Sequence, residues 1–133
     1  MITNISNITF GNKIETLKEN NYLYIKEYNE QGNLISYKEK DIQNDRFILS
    51  EKYDNSGKLI ERQQFQYLKN KIIETVTGMI NYQRTITEEI KDYLIHRTEE
   101  YISEDSSKNY IYKIIKKLDG KIISWINNGK KII

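Results

Sequence analysis

From Tyr22 to Ile35 the chain reads YLYIKEYNEQGNLI, apolar and polar side chains mixing at short intervals before a polar run that ends in glycine. Alternation with a period near two suits a strand with one face toward other side chains and one toward water. The same stretch returns without a gap at 47–60, FILSEKYDNSGKLI, an offset of 25 residues. Tyr22 matches Phe47, Leu23 matches Ile48, Tyr28 matches Tyr53, Asn29 matches Asp54 and Gly32 matches Gly57, while Leu34-Ile35 matches Leu59-Ile60.

The second half of the unit recurs more widely, as a turn followed by Lys or Asn, two aliphatics and Ser or Glu. It reads Asn33-Leu34-Ile35-Ser36, Lys58-Leu59-Ile60-Glu61, Lys71-Ile72-Ile73-Glu74 and Lys121-Ile122-Ile123-Ser124, with Lys130 to Ile133 as a shortened copy. Each copy follows a turn-type pair: Gln31-Gly32, Ser56-Gly57, Lys69-Asn70, Asp119-Gly120 and Asn128-Gly129. Asp-Gly and Asn-Gly favour two-residue type I′ hairpins, and the longer Tyr-Asn-Glu-Gln-Gly and Tyr-Asp-Asn-Ser-Gly loops fit a type I turn closed by a left-handed glycine.

These signals predict strands at 21–29, 34–41, 46–54, 58–68, 71–87 with a break or bulge at Gly78, 92–103, 109–118 and 121–127. Residues 1–10 alternate loosely, as an added edge strand would, and 12–20 read as one helical turn. Segment 85–103 has two readings. Thr85-Ile86-Thr87-Glu88 has the form of a capping box, whereas Tyr93-Leu94-Ile95-His96 echoes the strand starts at 22 and 47, and the echo favours strand. Residues 72–118 lack the turn glycine, so no regular period is expected to continue through them. The fold expected is all-β, an antiparallel meander of about eight to ten strands from repeated hairpins, either an open curved sheet or a barrel.

Composition agrees. Alanine, the best helix former, is absent, proline is absent, and 24 isoleucines and 11 tyrosines suit a pleated, half-buried surface. The 133 residues contain no linker-like stretch and form one expected domain, 1–133. Without cysteine there is neither a disulfide framework nor a thiolate zinc site. No basic-then-apolar leader opens the chain and no apolar run is long enough for a membrane helix, so a cytoplasmic protein with no membrane role is expected.

The unit Tyr53-Asp54-x-x-Gly57-x-Leu59-Ile60, with its copy Tyr28 to Ile35, resembles the YD-type hairpin repeats of Rhs-like bacterial proteins. It is also similar to the MORN-variant hairpin repeats of small bacterial antitoxin and immunity proteins. The resemblance covers about 40 residues well and about 65 loosely. It implies a hairpin-repeat sheet and a role in binding another protein.

Little chemistry competes with that role. His96 is the only histidine and has no partner at metal-ligand spacing, so neither a metal site nor a Ser-His-Asp triad is expected. No glycine-rich phosphate loop opens a helix, and no cofactor is expected. Glu61 and Glu74 occupy matching places in adjacent copies, and solvated surface positions explain both. The tyrosines are read as cross-strand ladders rather than base-stacking platforms, so nucleic acid is not an expected partner.

Net charge is +2, but Glu88 to Asp105 holds seven acids against Lys91 and Arg97, while residues 108–133 hold seven lysines and one acid. Pairing of the two strands would match these charges across the ladder. Alternatively, Glu99, Glu100, Tyr101, Glu104 and Asp105 form an acidic surface for a basic protein partner. The function expected is a non-catalytic binding protein, in its most concrete form an immunity- or antitoxin-like protein that neutralises a basic toxin domain by steric occlusion. The alternative is a barrel carrying a small apolar ligand.

Overall fold

A computed structural model describes the backbone of residues 2–9 and the whole of residues 11–133. Twelve strands follow one another: β1 (Ile2–Thr9), β2 (Asn12–Glu19), β3 (Tyr22–Tyr28), β4 (Leu34–Asp41), β5 (Arg46–Tyr53), β6 (Leu59–Leu68), β7 (Lys71–Gly78), β8 (Tyr82–Lys91), β9 (Leu94–Ser103), β10 (Tyr110–Lys117), β11 (Ile122–Asn127) and β12 (Lys130–Lys131). Their order in the sheet is their order in the chain, an antiparallel meander in which the first and last strands each have a single neighbour. In its pairing, the fold is the open sheet of the two forms expected.

Contacts divide the chain into two compact units. One extends to Phe65 and takes in Val76–Met79; the other comprises Gln66–Thr75 and Ile80–Ile133. Within each, the strand contacts described run between strands adjacent in sequence. Val76, 3% exposed, is the one hydrophobic residue that counts as buried among those described.

The two hairpins that share the 25-residue repeat have the same loop. Asn29 Oδ1 accepts from the N–H groups of Gln31 (3.1 Å) and Asn33 (2.9 Å), and Asp54 Oδ1 accepts from those of Ser56 and Lys58 (both 2.9 Å). The Gly32 and Gly57 N–H groups donate to the carbonyls of Asn29 and Asp54, each at 3.0 Å. In both loops the side chain replaces backbone partners that the turn leaves unsatisfied. The loops also touch: the Asn29 and Asn33 amides donate to the Asn55 carbonyl at 3.1 and 2.8 Å.

Several expectations change. Residues 12–20 are strand β2, not a helical turn, because the stretch pairs on both sides, with β1 and with β3. Of the break or bulge expected at Gly78 within 71–87, the structure has the break: β7 ends at Gly78 and β8 begins at Tyr82. Segment 85–103 is strand, as favoured, but it reverses at Asp92-Tyr93, where both residues are left-handed (φ 54° and 61°). Asp119-Gly120 is not a two-residue type I′ turn. Gly120 N–H donates to Lys117 O and Lys117 N–H to Lys121 O, the bonding of the two longer loops. Asn128-Gly129 does have positive φ at both residues. The repeat also persists where the glycine is missing, since the loops at one end of the hairpins begin at Asn29, Asp54, Met79, Glu104 and Asn128.

Two glycines separate backbone strain from collision. Gly57 has φ +88° with open space around it, whereas Gly78 has φ +143° and a Cβ there would strike the carbonyl oxygen of Ile60. Gly57→Val should cost about 1–2 kcal/mol, the scale of left-handed strain, and Gly78→Ala should cost more. Urea unfolding midpoints check this order; an unchanged midpoint for both would refute the assigned turns.

Candidate functional site

In a two-residue alternation, β9 splits its acidic run between two faces. Glu99 and Tyr101 lie on one face with Arg97; Glu100 and Ile102 lie on the other. The register carries the first face across the unit. Tyr101 stands opposite Arg84 on β8 and Tyr110 on β10, and Glu99 stands opposite Ile86 and Tyr112. The rings form a ladder: Tyr82 and Tyr101 at 4.9 Å, Tyr101 and Tyr110 stacked at 5.2 Å, Tyr110 and Tyr112 stacked at 5.8 Å, and Trp125 edge-on to Tyr112 at 6.4 Å. Stacked along the sheet, the inner rings spend their faces on one another. Contacts of this kind add about 0.5–1.5 kcal/mol per pair beyond the area they bury.

Glu99 sits beneath this ladder, only 7% exposed. It accepts from the Tyr110 hydroxyl at 2.6 Å and from Arg97 Nη2 at 3.3 Å. Glu74, 4% exposed, pairs with Arg84 at 3.0 Å. The first unit repeats the device with Glu51, also 7% exposed, which accepts from Arg62 Nε at 2.7 Å and the Tyr53 hydroxyl at 3.0 Å. Glu74 is therefore not the solvated surface residue expected of it, because β8 brings a guanidinium against it. Glu61, by contrast, does lie at a partly exposed position, 3.5 Å from Lys52.

Burial raises the Glu99 pKa, but the Tyr110 and Tyr112 hydroxyls, the Arg84 charge and Arg97 outweigh it and hold the carboxyl below its ordinary value. Reciprocally, burial and the Glu99 carboxylate push Tyr110 up to about 12. Burial and acceptor carboxylates raise Tyr37, Tyr53, Tyr82 and Tyr112 as well. Each of these phenols has to stay protonated to donate.

The five residues singled out by sequence thus separate. Glu99 and Tyr101 belong to the ladder face. Glu100 is exposed on the opposite face, while Glu104 and Asp105 lie in the loop between β9 and β10. Glu104 accepts from the Asn81 amide at 2.6 Å. Asp105 caps the short 3-10 turn Ser106–Lys108, accepting from Ser107 N–H at 3.1 Å and Ser107 Oγ at 2.6 Å. Strands β9 and β10 pair as anticipated, but their charges do not match across the ladder: Glu100 faces Ile111, Lys113 faces Thr98, and Lys116 and Lys117 face Ile95 and Leu94. The acids instead find arginines, as Glu88 does with Arg97 at 3.5 Å.

What the separation leaves outward is an apolar and acidic patch at the β9–β10 loop end. Ile102 is 51% exposed, Ile111 is exposed on the neighbouring strand, and Glu100 carries the charge. Glu100, Ile102, Asn109, Ile111 and Asn128 line an open depression of about 230 Å³, with Tyr101 and Tyr110. The isoleucines give no acidic signature and were not candidates in the sequence; the alternation of β9 and β10 is the signal that could have found them. His96 lies half-buried on this face opposite Glu89 and Ile115, and no cluster able to hold a metal occurs among the described residues.

Two predictions follow from the ladder. Glu99→Lys should destabilise the protein by about 3 kcal/mol or more, because it reverses a buried, paired charge. Glu100→Lys should change stability by no more than about 0.5 kcal/mol, and denaturant unfolding separates the two. The second concerns alkaline pH. A phenol whose folded pKa is raised contributes stability in full below its unfolded pKa of about 10. That contribution is lost as pH rises through the folded value, because the unfolded chain then binds fewer protons. Unfolding free energy should therefore fall between about pH 10 and Tyr110's own value of about 12, and Tyr110→Phe should flatten the fall.

No protein-family model, curated protein or solved structure matches this chain, which leaves its own surface chemistry as the guide to its function.

Proposed function

We propose that this chain is a non-catalytic binding protein that neutralises a protein partner by covering the partner's working surface, in the manner of bacterial immunity and antitoxin proteins. The observation that carries the reading is the patch at the β9–β10 loop end, where exposed isoleucines lie beside Glu100, an acid left outside the ladder. Apolar anchors rimmed by charge are the anatomy of a protein interface. The hairpin-repeat resemblance points the same way, and the acids favour a basic partner, for which opposite charge speeds encounter.

The direct test is co-expression of the chain with the toxic product of a neighbouring gene in its source genome. Growth should be restored by the wild-type chain. Restoration should be lost with Ile102→Asp, which charges the centre of the patch, and retained with Lys18→Glu, a surface change in the other unit. Failure of the wild-type chain to restore growth, together with purification carrying a bound apolar small molecule, would replace this reading with the carrier.

A further inference from the structure

We propose that the depression between β9 and β10 receives one arginine or lysine side chain of a peptide segment presented by the partner. The inference rests on the protein-partner reading for the source of that side chain and adds the chemistry of its recognition.

Size comes first. At about 230 Å³ the depression falls short of the roughly 300–1,000 Å³ that drug-sized ligands occupy. It suits one long side chain rather than a small molecule. Ile102 and Ile111 are its apolar side chains, and the rings of Tyr101 and Tyr110 turn to the opposite face, as their stacking with each other beside Glu99 requires. An aliphatic stem can lie along such isoleucines while its charged head stays near water.

Charge comes second. Glu100 is exposed at this rim and makes no ion pair among the described residues, whereas Glu99 next to it is committed to Tyr110 and Arg97. Lys113 on the same face stands opposite Thr98, diagonal to Glu100, and makes no ion pair with it among the described residues. A guanidinium or ammonium would meet an unpaired carboxylate.

Hydrogen bonding comes third and identifies a peptide rather than a free cation. Asn109 Oδ1 already accepts from Ser103 N–H at 2.7 Å and from Ser103 Oγ at 3.2 Å; Asn128 Oδ1 accepts from Ile111 N–H at 2.8 Å. With their oxygens engaged, what the two amides turn to a visitor is N–H donors. Donors around Ile111, on the β10 side of an acceptor carboxylate, match a basic side chain whose own backbone carbonyls lie beside it.

The test is an amide-resolved NMR titration of the full chain with a blocked Ala-Ala-Arg-Ala-Ala peptide, and with the same peptide carrying neutral citrulline in place of arginine. The arginine peptide should shift resonances of 100–102, 109–111 and 128, and bind at least about threefold more tightly than the citrulline peptide, the scale of an exposed ion pair. Glu100→Gln should erase that preference and Glu104→Gln should keep it. No shifts at these residues, equal binding of the two peptides, or a preference that survives Glu100→Gln would overturn the proposal. Growth restoration that persists while the peptide fails would sink only the depression's role; peptide binding without restoration would sink only the neutralising function.

Discussion

Where the strand contacts described run only between neighbours in the sheet, a side chain leaves water by lying against residues along its strand and across the ladder. Short aliphatics do this poorly: an isoleucine projecting from a flat face keeps much of its surface wet, as Ile102 and Ile126 do. Tyrosine does it better, because its ring is long enough to cover the residue beside it and its hydroxyl tolerates the sheet surface. Apart from Val76, the described residues that are most buried are carboxylates held by guanidinium groups and phenols.

That constraint explains why three carboxylates, Glu51, Glu74 and Glu99, stand with Val76 among the driest described positions. Taking a charge out of water costs several kcal/mol unless partners replace the hydration, and Glu99 has a tyrosine hydroxyl and an arginine in direct reach. Glu51 is held in the same way by Tyr53 and Arg62, from a different pair of strands. The recurrence is informative: a donor on the following strand meets a carboxylate on the odd-numbered one. A hairpin repeat thus carries a repeated hydrogen-bond device as well as a repeated turn. The cost of such an arrangement is that it works in one protonation state, carboxylate ionised and phenol neutral.

Much of the fold was legible because turns leave a chemical trace. Asn29 to Asn33 and Asp54 to Lys58 could be read from an Asx side chain followed three residues later by glycine, and their hydrogen bonds are the ones that pattern implies. The turns that escaped, at Asn20 and Asp92-Tyr93, were built without glycine. Asn20 and Asp92 adopt left-handed conformations as Asx residues can, as Asn70 does in a turn that was legible, and Tyr93 does so with no local advertisement at all. Missing Asp92-Tyr93 misplaced one strand boundary, and reading 12–20 as helix missed a strand whose partners lie on both sides of it. Composition could not settle either, since pairing is a property of two segments rather than one.

The site was legible in part, and its failure has a specific cause. A run such as Glu99-Glu100-Tyr101 looks like one cluster along the chain, yet a strand sends consecutive side chains to opposite faces. The acid that looked equivalent to its neighbour is a buried acceptor, and the neighbour is free for a partner. The same alternation decides which tyrosines are available. Those whose rings stack across β8, β9 and β10 hold the sheet together, so an interface must be made from what lies on the other face. There the exposed isoleucines and a carboxylate that makes no ion pair among the described residues are unsatisfied in complementary ways. A partner offering an aliphatic stem that ends in a positive charge would relieve both deficits with one side chain.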